Sequence, residues 1–329
     1  LGGILGYGHI GNGGGYDTSG NGNEKIIINN CINYGEIKGN SYVGGLIGET
    51  GVNLNCSGVE INNLANEGNV TADGNYIGGI AGYVATSYGM SIKGNNFYNK
   101  ASINSNGNYI GGIYGYAQPD LSSGIISIDD SYNIGNVIGV NYVGGILGAG
   151  CSSWYGKTSV SKCINIGQIK SKSGMGYGIS GGALNASSWF DGSHMVENCY
   201  IYTGTSDKKT AGTSIKNVEY LTNDQLKNKE SFGSFDFDQV WIMGSSYPIL
   251  KWVNNYTIEV PDFDKNTDKT VDDYIINEVK KYTSDQVYAQ YESIMNSNAS
   301  YEEKHRRLVS LFGKNYGITD INEGRKYLS

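Results

Sequence analysis

The chain is short of several things at once. Its 329 residues include only 3 prolines, 3 histidines and 5 cysteines. His9, His194 and His305 stand far apart, so no H-E-x-x-H helix or similar zinc-ligand spacing lies within it, and no metal site is expected. Five cysteines without paired spacing do not make a disulfide framework. Lys and Arg (24) are outnumbered by Asp and Glu (31), which gives a net charge of −7 and a pI near 5.1. Without a basic stripe, nucleic acid is not an expected partner. No apolar run is long enough to span a bilayer, so no membrane insertion is expected either. There is no signal peptide and no initiator Met, and the first residues already belong to a repeat. The sequence therefore reads as a piece of a longer protein.

What is abundant is glycine, 50 residues, and tyrosine, 27 residues. That much glycine would fit low complexity, but a hydrophobic fraction of 39% and so many aromatic rings do not fit disorder. The glycines are organised. "NYIGGIAGY" (from Asn75) returns as "NYIGGIYGY" (from Asn108), "NYVGGILG" (from Asn141) and "SYVGGLIG" (from Ser41), with a worn copy at Tyr177. The leading glycines are Gly44, Gly78, Gly111, Gly144 and Gly181, in steps of 34, 33, 33 and 37. A second landmark, "CINYGEI" and its relatives, places Asn33, Asn66, Asn99, Asn133 and Asn165 in steps of 33, 33, 34 and 32. Two landmarks with one period define a repeat array.

Each period holds short β-type runs separated by Gly and Asn, with no helical periodicity, and has room for three strands and their corners. Strands that recur every period and stack in register make a β-solenoid. The expected fold is mainly β: a parallel β-helix of about six coils over residues 1–205, a C-terminal cap over 206–256, and a small α-helical module over 257–329. In a stacked coil, Asn66 and Asn99 must be neighbours, at the spacing of adjacent strands. The Gly-Gly pair reads as a bulge inside a strand that turns both Ile77 and Ile80 inward. Ile37, Val70, Ile103, Val137 and Ile169 form a core column. Cys31, Cys163 and Cys199 share their slot with Leu64 and Phe97, so they read as small core hydrophobes, whereas Cys56 and Cys151 read as loop residues.

These repeats, "NYIGGIAGY" with its companion C-x-N-x-G-x-I, resemble the GLUG-motif repeat of bacterial surface proteins. Such repeats occur in adhesins and upstream of the catalytic domain in immunoglobulin A-cleaving zinc peptidases. The resemblance covers roughly Leu1 to Trp252, including a stretch from Phe232 to Trp252 that looks like the segment closing such arrays. It implies an extracellular, secreted or surface-attached β-helix with a spacer or binding role, and no activity of its own. In the peptidase setting the repeats would present substrate to a catalytic domain outside this chain.

After Pro261 glycine nearly vanishes and helix signals take over, among them the near-capping boxes "TVDD" (Thr270 to Asp273) and "SYEE" (Ser300 to Glu303). Asp262, Asp264 and Asn266 imitate an EF-hand loop, but Thr267 stands where glycine is required, so a solvated linker is the better reading and no cofactor is expected.

Candidate chemistry is sparse. "GISGG" puts Ser180 in a G-x-S-x-G pattern, yet within a repeat slot and not at a strand–helix elbow. "GYGHIG" (Gly6 to Gly11) matches G-x-G-x-x-G without a following helix. Asp129 and Asp130 are the best acid pair and leave open a third reading, a β-helix polysaccharide-active enzyme. Neighbouring strand residues point to opposite faces, however, which opposes their cooperation.

The irregular segments are more informative. Glu49 to Gly58, Ala85 to Met90, Gln118 to Gly124, Ala149 to Thr158 and Asn185 to Met195 all follow the Gly-Gly strand, so they emerge on one side of the solenoid. They carry Trp154, Tyr155, Trp189, Phe190 and Tyr88, candidate anchors for a glycan or host-protein ligand, unless the rings fold back onto the wall. A column of Tyr42, Tyr76, Tyr109, Tyr142 and Tyr177 beside the glycines is either a binding stripe or a self-stacking stiffener.

Overall fold

A computed structural model describes residues 1–10, 25–52, 58–86, 90–119, 124–151, 155–184 and 193–255, and in addition residues 289, 290, 293, 294, 297, 307 and 311. The chain divides into two compact units, Leu1–Tyr256 and Thr257–Ser329. In the second, Ala289, Gln290, Ser293, Ile294, Arg307 and Leu311 are helical. The capping boxes and the acids Asp262, Asp264 and Asn266 lie outside the described residues.

The first unit is mainly β, a parallel β-solenoid of about five turns. One turn illustrates all of them. The strand Tyr98–Asn99 belongs to a ten-stranded sheet, Ile103–Ser105 to a five-stranded sheet, Ile110–Gly111 to a second five-stranded sheet, and Tyr114–Gln118 to a six-stranded sheet. Ile125–Asp129 then returns to the ten-stranded sheet. Every strand pairs in parallel with its counterpart one turn away: Asn99 with Asn66 and Asn133, Ile103 with Val70 and Val137, Ile110 with Ile77 and Val143. A turn therefore has five short strands in four sheets, where the spacing of landmarks leaves room for three strands. Five bends in about 33 residues leave room only for strands of a few residues.

Polar residues that tolerate left-handed backbone mark one corner. Asn30, Asn63, Asn96, Asp130, Lys162, Asn198 and Asn217 all have φ between 46° and 61°. Asn and Asp adopt this region more readily than other residues with a Cβ. Asn63 Nδ2 donates to Asn30 Oδ1 at 2.8 Å and Asn96 Nδ2 to Asn63 Oδ1 at 3.1 Å, so the corner is stitched from turn to turn.

The buried asparagine column is the polar spine of the interior. Asn33 Nδ2 donates to Asn66 Oδ1 (2.8 Å), Asn66 to Asn99 (2.9 Å), Asn99 to Asn133 (2.7 Å) and Asn133 to Asn165 (2.8 Å). Asn99, Asn133 and Asn165 also donate to the carbonyl two residues on, Ala101, Gly135 or Gly167. Burying an unpaired amide costs about 1–3 kcal/mol, and these shared bonds avoid that penalty for Asn66, Asn99, Asn133 and Asn165, which are fully buried.

The Gly-Gly pair is not a bulge within a strand. Strand Ile77–Gly78 ends at the pair and a new strand, Ala81–Thr86, starts after it in a different sheet. Ile77 and Ile80 are both buried, as expected, but in separate clusters: Ile77 between the two five-stranded sheets, Ile80 between the ten- and six-stranded sheets. A Cβ on Gly78 would meet the Ala81 carbonyl oxygen at 2.0 Å, and one on Gly79 would meet Asn99 Cγ at 2.7 Å. The pair is needed for space at a corner.

The closing segment lies along a side wall. After the last parallel strand, Ser214–Leu221, Thr222 caps the short helix Asn223–Leu226 in a capping box with Gln225. Leu226, Phe232, Phe235, Trp241 and Leu250 then cover an outward column of the ten-stranded sheet, Ala65, Tyr98, Tyr132, Ile164 and Tyr200. Trp241 Nε1 donates to Asp130 Oδ1 (2.9 Å) and Trp252 Nε1 to the Asn96 carbonyl (2.9 Å), so the segment reaches back across several turns.

Candidate functional site

The wall beside the glycines carries the most organised exposed side chains. Tyr42, Tyr76, Tyr109 and Tyr142 stand at the entrance to the second five-stranded sheet with φ of 57°, 66°, 66° and 54°. A left-handed tyrosine costs about 1–2 kcal/mol. It persists here because the backbone ladder runs unbroken through the corner: Tyr42 N donates to the Asn75 carbonyl, Tyr76 N to Asn108 and Tyr109 N to Asn141, each at 3.0 Å. Ring stacking adds to this. The centroids of Tyr42 and Tyr76 are 4.9 Å apart, Tyr76 and Tyr109 5.0 Å, and Tyr109 and Tyr142 4.9 Å, with the last two pairs within 5° of parallel.

A second rank packs beneath the first. Tyr83 and Tyr116, in register on the six-stranded sheet, stack at 5.6 Å. Tyr83 meets Tyr76 edge-on at 5.4 Å, and Tyr116 meets Tyr109 at 5.2 Å. Tyr83 Oη donates to Gln118 Oε1 at 2.7 Å. Burial first, and neighbouring groups second, push the phenols of Tyr76, Tyr83, Tyr109 and Tyr116 upward, so they remain neutral hydrogen-bond donors at any physiological pH. The second rank is the part of the site that the repeat reading misses. Its signal is present as a tyrosine seven residues after the first, but only in the copies with Tyr76 and Tyr109.

The irregular segments border the same sheet. Residues 11–24, 53–57, 87–89, 120–123, 152–154 and 185–192 each connect a strand of the six-stranded sheet to one of the ten-stranded sheet. They therefore leave from one corner, as the phase of the insertions predicts. They are shorter than expected, because strands extend into them. Cys151 in particular is not a loop residue: it ends the strand Leu147–Cys151 and is buried with Tyr116 and Ala149. Of the predicted anchors, Tyr155 is exposed (48%) at this corner. Trp154, Trp189, Phe190 and Tyr88 lie outside the described residues.

The other candidates are occupied structurally. Asp130 accepts the Trp241 indole, and burial raises its carboxyl pKa against the opposing effect of that bond and of Lys162. Asp129 accepts from Ser161 Oγ. Ser180 is fully buried, with His194 Nε2 2.8 Å from its hydroxyl, and both side chains face the interior. Gly6 and Gly8 lie within the strand Leu5–Ile10. Cys163 and Cys199 are core residues, and Cys31 is partly buried against the same cluster. Among the described residues no three His, Cys, Asp or Glu converge on a point that would hold a metal ion, and no helix is long and apolar enough to cross a membrane.

The fold and this wall define a parallel β-solenoid bearing a two-rank tyrosine ladder. No protein-family model, curated protein or solved structure matches the chain.

Proposed function

We propose that this chain is a non-catalytic, extracellular repeat region of a bacterial surface or secreted protein, acting as a rigid spacer and as a binding module for a glycan or host protein. The observation that carries the reading is that the second rank of the ladder, Tyr83 and Tyr116, lies on the six-stranded sheet whose strands lead into all the irregular segments, with the first rank packed against it. Tyrosine supplies large contact area with little loss of rotamer freedom, which is why it is enriched in recognition surfaces. The stacked turns give that surface a stiff support, because each turn is fixed to its neighbours by a parallel ladder. The resemblance to surface-protein repeats points the same way.

The test is a glycan and host-protein array probed with the 329-residue chain, followed by hydrogen exchange on the bound complex. Protection of residues 75–83 and 108–118 is expected. Binding elsewhere, or no binding on either array, would overturn the binding role.

A further inference from the structure

The tyrosine ladder has a fixed pitch, and the pitch selects a ligand. Tyr76, Tyr109 and Tyr142 lie face to face, at interplanar angles of 5° and 1°. Both faces of Tyr109 are thus taken by its neighbours, and no ligand ring can stack on them. What the wall offers outward is a row of ring edges and hydroxyls. Among the described residues, nothing hydrogen-bonds to the hydroxyls of Tyr42, Tyr76, Tyr109 or Tyr142. Beside them runs a parallel row of amides at the same interval. Asn108 Nδ2 donates to Asn75 Oδ1 (3.2 Å), Asn141 Nδ2 to Asn108 Oδ1 (2.9 Å), and Ser173 Oγ to Asn141 Oδ1 (2.8 Å).

Resting on the reading of this wall as the binding face, we propose that it binds an extended, uncharged β-1,4-linked pyranose chain lying along the solenoid axis, one sugar per turn. Such a chain, where both linkage bonds are equatorial, is a flat ribbon whose residues advance by about one strand spacing; successive residues are turned over, so every residue presents hydroxyls to each edge, in sets that alternate from one residue to the next. A polypeptide strand laid along the axis advances about 3.3 Å per residue, so against rungs 4.9–5.0 Å apart only every third residue meets a rung, and only every second rung is met. A second copy of the wall would share the pitch, but the ring faces that would form an apolar interface core are already used within each copy. The chain's net charge of −7, with Glu49 in register beside Tyr83 on this sheet, disfavours an acidic polysaccharide.

The experiment is calorimetric titration of the 329-residue chain with β-1,4-linked glucose oligomers of two, four and six units, and with an α-1,4-linked six-unit oligomer that coils out of register. Affinity should rise at least tenfold from two to four units and then level off, because four rungs are available. The α-linked oligomer should bind at least tenfold more weakly. Tyr109→Phe keeps the stack and removes one hydroxyl, and it should weaken the four-unit ligand about 2–12-fold without moving the melting temperature. Equal affinity for the two linkages, no dependence on length, or no effect of Tyr109→Phe would each overturn the proposal. If no oligosaccharide binds but a protein ligand or a second copy protects the wall from exchange, the glycan is wrong and the binding face stands. If nothing binds the wall, both fall.

Discussion

Asn99 and Gly79 meet inside the solenoid so closely that a Cβ on the glycine would stand 2.7 Å from the amide carbon of the asparagine. The same atom would lie 2.1 Å from the carbonyl oxygen of Gly112, which is backbone and cannot swing aside. The double glycine and the asparagine ladder are therefore one device: the column of amides fits because the facing column carries no side chains.

Gly79→Ala should destabilise the solenoid by about 1–3 kcal/mol, the range for overpacking a filled interior. Urea denaturation of the full chain measures it. Gly233→Ala is the control, since among the described residues nothing lies within 4 Å of a Cβ there. Equal midpoints for the two variants would mean that the corner relaxes and that the glycines serve another purpose.

Trp241→Phe tests the closing segment. Phenylalanine preserves most of the packing against Phe235 and Tyr132 but cannot donate to Asp130. A partly buried carboxylate then loses its donor, which costs about 1–3 kcal/mol at pH 7. Burial already raises the Asp130 pKa in the folded state, and losing the indole raises it further. A raised acid binds protons more readily when folded, so the penalty is full above its folded pKa and fades as pH falls toward the unfolded value near 3.9. The difference between variant and parent in urea midpoint should therefore shrink between pH 7 and pH 4. A difference independent of pH would show that the indole contributes through packing alone.

What the sequence made legible follows from the contacts of a solenoid. Asn33, Asn66, Asn99, Asn133 and Asn165 touch one another, as do the members of the Ile37 column, so like residues at one spacing reveal both period and partner. The four-sheet section was not legible. Whether Gly78-Gly79 bends within a strand or between two depends on what the backbone of the next turn permits, and spacing carries no such information. The contacts of Trp241 with Asp130 and Trp252 with Asn96 join residues 111 and 156 positions apart, beyond the last recognisable repeat. His194 was hidden because its copy follows the longest step in the array. In register it occupies the inward slot held by Val59, Ile92, Ile126 and Thr158 in earlier turns.

That substitution makes the last turns sensitive to acid. The His194 imidazole is fully buried, bonded through Nε2 to Ser180 Oγ at 2.8 Å, while Nδ1 has no hydrogen-bond partner among the described residues and lies over Gly150, where a Cβ would come within 2.3 Å. Thr158 and Gly150, from the strands packed against it, are uncharged. Burial alone therefore lowers its pKa from 6.5 to about 4. A histidine with a depressed folded pKa binds protons more readily when unfolded, so its share of stability is intact above pH 6.5. That share is lost as pH falls toward 4, by at most about 3 kcal/mol. His194→Gln retains a side chain able to reach Ser180 but does not titrate. Between pH 7.5 and 4.5 the parent should lose this increment relative to His194→Gln, whatever the carboxylates shared by both contribute. Parallel stability curves across that interval would show that the folded chain accommodates the imidazolium, and that the last turns carry no acid-sensitive residue at this position.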